Sequence, residues 1–121
     1  FVPHVKETLH ELQNIITSPF VTTIIFFFKY TINRPRPYQI MPEINHLYSN
    51  TGNTPSLPAG HAFQAYYLAH ILSKKYPSKK NLFNTLAERC DDARVKAGIH
   101  YPSDGVMSKM LVEILINLRI I

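Results

Sequence analysis

The sequence is short of cysteine, of acidic residues and of strand-like alternation. Cys90 is the single cysteine in 121 residues, which excludes a disulfide scaffold and a zinc site built on thiolates. Eight acidic residues stand against thirteen lysines and arginines, giving a formal charge of +5. The carboxylates form no cluster of the kind that holds magnesium. No segment alternates apolar and polar residues for long enough to make a strand, and there is no internal repeat or low-complexity tract. The longest uncharged stretch, Leu12 to Phe28, is strongly apolar only from Phe20 onward and is interrupted by Pro19. A spanning helix needs about 20 mostly apolar residues, so this stretch is read as a buried core helix, with a short or re-entrant membrane segment as the alternative. There is no typical signal peptide. The sequence starts at Phe1, not Met, which leaves an upstream segment open.

What is present points to a globular protein. Hydrophobic residues make up 45% of the chain, too many for an intrinsically disordered one. The length suits one domain, 1–121, burying roughly two thirds of its unfolded surface around one core. A pI near 9.4 favours anionic partners such as phosphates, nucleic acid or an acidic membrane surface.

Prolines and glycines divide the chain into helical segments. Val5, Leu9, Leu12 and Ile16 share a face of a first helix that ends at Ser18-Pro19. A second, apolar helix runs from about Phe20 to Ile32. Residues 34–58 then carry five of the nine prolines and no helical period, and a loop of this length in a small domain is usually functional. A third helix spans about Ala59 to Lys75. Ser78 is a suitable cap for a fourth, which continues to Ala97 with Gly98 at C′. After the turn from Ile99 to Ser103, Met107, Met110, Leu111, Ile114, Leu115 and Leu118 form the apolar stripe of the last helix. The expected fold class is all-α, a compact bundle of about five helices.

Three polar residues lie on apolar helix faces. Lys29 falls beside Ile25, Phe26 and Ile32, while His61 falls beside Ala65, Leu68 and Leu72. Arg94 aligns with Phe83, Ala87, Cys90 and Ala97. An unpaired buried cation is expensive. Either Lys29 and Arg94 reach out to water and His61 is satisfied within the core, or the three share a bound anion. Anion-binding features also stand at both ends of the long loop. Arg34-Pro35-Arg36-Pro37 is stiff and extended. Leu57-Pro58-Ala59-Gly60-His61 opens the third helix, where free N–H groups and the bare Gly60 backbone suit an anion. Farther on, His100 and Asp104 flank Pro102. The pair fits either a carboxylate that orients a reactive imidazole or an ordinary aspartate at a helix start beside a turn histidine.

These residues resemble the type 2 phosphatidic acid phosphatase family, PAP2, which shares its fold and site with vanadium-dependent haloperoxidases. The family motifs K-x6-R-P, P-S-G-H and S-R-x5-H-x3-D read here as Lys29-x6-Arg36-Pro37, Pro58-Ala59-Gly60-His61 and Ala93-Arg94-x5-His100-x3-Asp104. They occur in order between residues 29 and 104, and nine specified positions match, each expected by chance at roughly one in twenty. The resemblance implies that Lys29, Arg36 and Arg94 hold phosphate oxygens, with backbone donors at Gly60 and Ala59. It further implies a phosphohistidine on His100, oriented by Asp104, and His61 as acid and then base. It implies metal-independent hydrolysis of a phosphomonoester, such as a lipid phosphate like phosphatidic acid, with no cofactor. Ala59 and Ala93 replace family serines, which puts the level of activity in question, and Arg34 is a candidate to share the role of Arg36.

Two further functions follow from the same residues. One is a haloperoxidase that carries vanadate on His100; the other is a weakened phosphate-binding homologue. Nucleic acid is not expected as a partner, because the cations converge on a site instead of lining one helix. Peripheral or integral membrane contact and a homo-oligomer are compatible with the apolar second helix. His70 is read as structural, His46 as a loop residue, and His4 and His10 as polar-face residues. Asp91 and Asp92 are read as solvated or paired with Arg94 or Arg89. Lys74, Lys75, Lys79 and Lys80 form a surface cluster able to touch anionic lipid.

Overall fold

A computed structural model describes residues 1–41, 43 and 54–121; His46 lies outside the described residues. Among the described residues six helices follow in order: α1 Leu9–Ile16, α2 Pro19–Ile32, a single turn α3 Pro37–Ile40, α4 Gly60–Lys75, α5 Lys80–Lys96 and α6 Pro102–Asn117. Among the described residues there is no strand, and the fold is all-α as its sequence predicts. The segment between α2 and α4 is not wholly irregular, because Pro37 starts the short α3.

Local chemistry sets the helix limits. Thr8 and Glu11 form a reciprocal capping box that starts α1, so Val2 and Val5 lie upstream of the helix in and after a 3-10 turn. Ser18 caps α2 with Pro19 in its first turn. Asn33, at φ 56, ends that helix in the left-handed conformation that asparagine tolerates. Ser78 does not cap α5. It sits inside a 3-10 turn over Pro77–Lys79, and α5 begins without a side-chain cap.

Helix α4 lies between two apolar clusters. Leu12, Ala65, Leu68, Ala69, Leu72, Phe83 and Ala87 join α1, α4 and α5. Val21, Ile25, Phe63, Leu111 and Val112 join α2, α4 and α6. Two expectations about faces need correction. Helix α2 is not fully buried: Val21, Ile25 and Lys29 turn inward at a spacing of four, while Phe27 and Tyr30 are each 62% exposed. Helix α6 buries Asp104, Gly105, Ser108, Leu111 and Val112, leaving Met110, Ile114 and Leu118 exposed. Its rotation follows the polar anchors at its start, where Asp104 faces His100 and the Ser108 hydroxyl lies within hydrogen-bond reach of the Ala59 carbonyl at 2.8 Å and its own helix's Asp104 carbonyl at 3.0 Å. Among the described residues no single helix is long and apolar enough to cross a membrane. Leu9–Ile16 and Pro19–Ile40, bent by 46°, pass that test only as a pair.

Candidate active site

Four segments bring the site together. The inner face of α2 supplies Lys29, and the αL turn at Asn33 redirects the chain so that Arg36 enters the core. The first turn of α4 supplies Gly60 and His61. The end of α5 is closed by Gly98 at φ 77, whose N–H donates to the Val95 carbonyl at 2.9 Å while the Ile99 N–H donates to that of Arg94 at 3.3 Å. This double bond pattern needs a left-handed residue at Gly98, and it delivers His100 to the start of α6.

His100 and Asp104 form the centre. His100 Nδ1 lies 3.0 Å from Asp104 Oδ2, and both residues are buried. The same oxygen accepts the Tyr101 N–H at 2.9 Å and the Ser56 hydroxyl. The other oxygen accepts from Arg34 Nη1 at 3.0 Å. Arg36 Nη1 lies 3.0 Å from His100 Nε2. A guanidinium only donates and a carboxylate only accepts. The partners therefore fix one tautomer: His100 carries its proton on Nδ1, facing Asp104, and keeps a lone pair on Nε2.

Charge and burial reinforce that state. Burial by itself raises the Asp104 pKa, but hydrogen bonds from His100, Ser56 and the Tyr101 N–H outweigh it and hold the carboxyl below its ordinary value. Burial lowers the His100 pKa, with Asp104 opposing and Arg36 adding to the fall. Lys29 is 4% exposed, and its ammonium donates to the Pro55 carbonyl at 2.8 Å. Desolvation first, then Arg36 and Arg94, bring its pKa down to about 7 against the pull of Asp104. His61 is exposed at the rim, yet desolvation and the charges of Arg94, His100, Lys29 and Arg36 push its pKa down to about 4. Water at that rim damps the repulsion, and the cations Arg94, Lys29 and Arg36 all act in the same direction.

A cavity of about 590 Å³ opens over these groups, lined by Lys29, Arg36, Gly60, His61 and His100. His10, Gln13, Asn14, Thr17, Thr22, Phe26 and Gln64 also belong to its wall. The cations and the helix N-terminus suit a phosphate. The uncharged amide, hydroxyl and apolar groups suit the organic part of an ester. Among the described residues, no group of three or more His, Cys, Asp or Glu is arranged to hold a metal ion.

Lys29, Arg36, Gly60, His61, His100 and Asp104 are thus brought together. Arg94 is half-buried nearby and acts on Lys29, Arg36 and His61 through its charge, but it is not among the cavity-lining residues. Two expectations fail. Ala59 is fully buried and its N–H points at the Asp104 carbonyl, 3.3 Å away, so its amide is engaged within the fold instead of facing the cavity. Arg34 does not duplicate Arg36. It bonds Ser103 Oγ at 2.6 Å as well as Asp104, and lies 5.4 Å over the Tyr101 ring. Sequence reasoning missed Ser56 and Thr54. Thr54 accepts from Arg36 through its carbonyl at 2.8 Å and its hydroxyl at 3.0 Å. Both residues lie in a stretch without periodicity, where a single sequence gives no sign of burial.

None of the curated proteins compared with the chain matches it. Residues 11–119 match the family model of the PAP2 superfamily. That match covers most of the chain, His61 and His100 included. The chain belongs to the PAP2 superfamily, whose members are generally phosphatases.

Proposed function

We propose that this protein is a metal-independent phosphatase that hydrolyses phosphomonoesters through a phosphohistidine on His100. The observation that carries this reading is the fixed tautomer of His100: Nδ1–H on Asp104 and an Nε2 lone pair facing a cation-lined cavity. Arg36, Lys29 and the Gly60 N–H bind the non-bridging oxygens, as Arg36 turns from His100 Nε2 to the phosphate, and Arg94 adds positive charge nearby. The Nε2 lone pair attacks phosphorus, the ester P–O bond breaks, and His61 gives its proton to the departing alkoxide. A water then enters. Neutral His61 takes a proton from it, the hydroxide attacks phosphorus, the N–P bond breaks and its electron pair returns to His100. Positioning and electrostatic stabilisation supply most of what phosphoryl transfer requires.

The pKa directions support these roles. Before substrate binds, His61 is neutral near pH 7 and Lys29 is half-charged. A phosphate dianion reverses the repulsion among the cations, which recharges both groups when substrate arrives. The test is hydrolysis of an aryl phosphate in EDTA by wild type and His100→Ala, with and without vanadate. Turnover that survives chelation, falls with vanadate and disappears in the variant is expected. Full activity in His100→Ala overturns the reading.

The substrate class we favour includes lipid phosphates. Phe20, Phe27 and Tyr30 leave α2 with an exposed, uncharged aromatic side, able to meet lipid or a second subunit. A second reading, a weakened phosphate-binding homologue, is favoured by Ala59, which has no hydroxyl and whose amide is already bonded. Restoring the donor in Ala59→Ser raises turnover by up to about a hundredfold if that loss limits the rate; an unchanged rate removes this second reading's main support.

A further inference from the structure

The two ends of the segment joining α2 to α4 meet under the catalytic pair. The Ser56 N–H donates to the Arg34 carbonyl at 2.8 Å, and the side chains of both residues then reach Asp104, one to each oxygen. Ser56 is fully buried. A buried hydroxyl must find a partner, and it has a single proton to donate. That proton goes to Asp104 Oδ2, the oxygen that also accepts His100 Nδ1–H. Ser56 Oγ itself lies 3.4 Å from Nδ1. A serine serving only to fill space here would be replaceable by alanine at lower desolvation cost.

We propose that Ser56 and Arg34 are positioning residues that clamp Asp104, so that the carboxylate stays ionised and aims the imidazole of His100 at the phosphorus. The inference rests on the phosphohistidine reading for its kinetic consequence, but not for its structural one. Neither residue touches the phosphate in this arrangement. Their effect passes through Asp104 to the basicity and angle of His100.

The charged and titratable groups facing the pair come from every neighbouring element. Lys29 comes from α2, and Arg34 and Arg36 from the segment after it. His61 comes from α4, and Asp91 and Arg94 from α5. All of them, Arg34 included, remain in Ser56→Ala, so a change there reports the hydroxyl alone. Without that hydrogen bond, the carboxylate is less stabilised and becomes a stronger base toward His100. The imidazole then protonates at a higher pH, and the acidic limb of the rate profile moves upward with it.

The experiment pairs NMR titration of the His100 imidazole in the full chain, without substrate, with kinetics on an aryl phosphate. Ser56→Ala is expected to raise the His100 pKa, shift the acidic limb to higher pH, and lower kcat by about 10- to 100-fold. KM and vanadate inhibition should change less than threefold, and Ser56→Thr should recover most of the rate. An unchanged His100 titration in a folded Ser56→Ala protein overturns the clamp. If that variant does not fold, Arg34→Gln tests the other oxygen: an upward shift is expected, and an unchanged titration overturns the proposal. A shifted titration in a protein whose wild type hydrolyses no phosphate ester supports the clamp while the phosphatase reading fails, so the two failures are separable.

Discussion

Lys29 is a buried cation, and replacing it by methionine should stabilise the protein in phosphate-free buffer. Its ammonium is desolvated beside Arg36 and Arg94, with the Pro55 carbonyl as its hydrogen-bond acceptor, and its pKa falls from 10.5 to about 7. That difference corresponds to at most about 5 kcal/mol of destabilisation when the group is charged. The sign follows from proton binding in the two states. Below pH 7 both folded and unfolded chains carry the proton, and the full cost is present. Between pH 7 and about 10.5 the unfolded chain holds one proton more, so this contribution to stability rises with pH. Methionine removes the charge but leaves the Pro55 carbonyl unpaired, at about 1–3 kcal/mol. The expected net gain for Lys29→Met is about 2–4 kcal/mol at pH 6, vanishing or reversing by pH 10. Urea unfolding of both proteins in phosphate-free buffer across this range measures it. Added phosphate should stabilise the wild type more than the variant. Parallel stability curves at every pH, or a less stable variant at pH 6, refute the reasoning.

Two glycines make opposite predictions. A Cβ on Gly105 collides with the Asp91 carboxylate, which is held by the Tyr66 hydroxyl at 3.0 Å. Gly105→Ala should therefore cost about 1–3 kcal/mol, and adding Asp91→Ser should return much of it in a thermal-unfolding double-mutant cycle; strictly additive losses contradict the collision. A Cβ on Gly60 meets only Ile25 and the Lys29 stem, at ordinary contact distances of 3.6 and 3.7 Å. Gly60→Ala should keep its melting temperature within a few degrees yet bind phosphate about tenfold or more weakly, because the methyl stands where the anion approaches the backbone. Unimpaired vanadate inhibition in that variant would place the anion elsewhere.

Legibility in the sequence followed the range of the interactions. The end of α5 was readable because Gly98 acts within its own turn, and Lys29, Arg36, His61, His100 and Asp104 stand at the spacings of the motifs that the chain shares with the PAP2 family. Which way α6 faces was not readable. Its apolar residues are numerous enough to suggest a stripe through Met110 and Ile114, but the bonds of Asp104 and Ser108 to distant segments turn that side outward. The partners of Arg34 and Ser56 were hidden for the same reason. Each lies far from Asp104 in sequence and meets it only after the segment between α2 and α4 folds back. The family resemblance implies a backbone donor at Ala59, but the start of α6 takes its N–H, a contact no local sequence signal announces.

The most direct test is to trap the intermediate. Wild-type protein mixed with radiolabelled aryl phosphate is quenched in alkali within a turnover, digested and mapped by mass spectrometry. A covalent phosphate on His100, stable to alkali and labile to acid, and absent from His100→Ala, is the predicted result. Hydrolysis proceeding at full rate with no label on His100, or with the label on another residue, contradicts it.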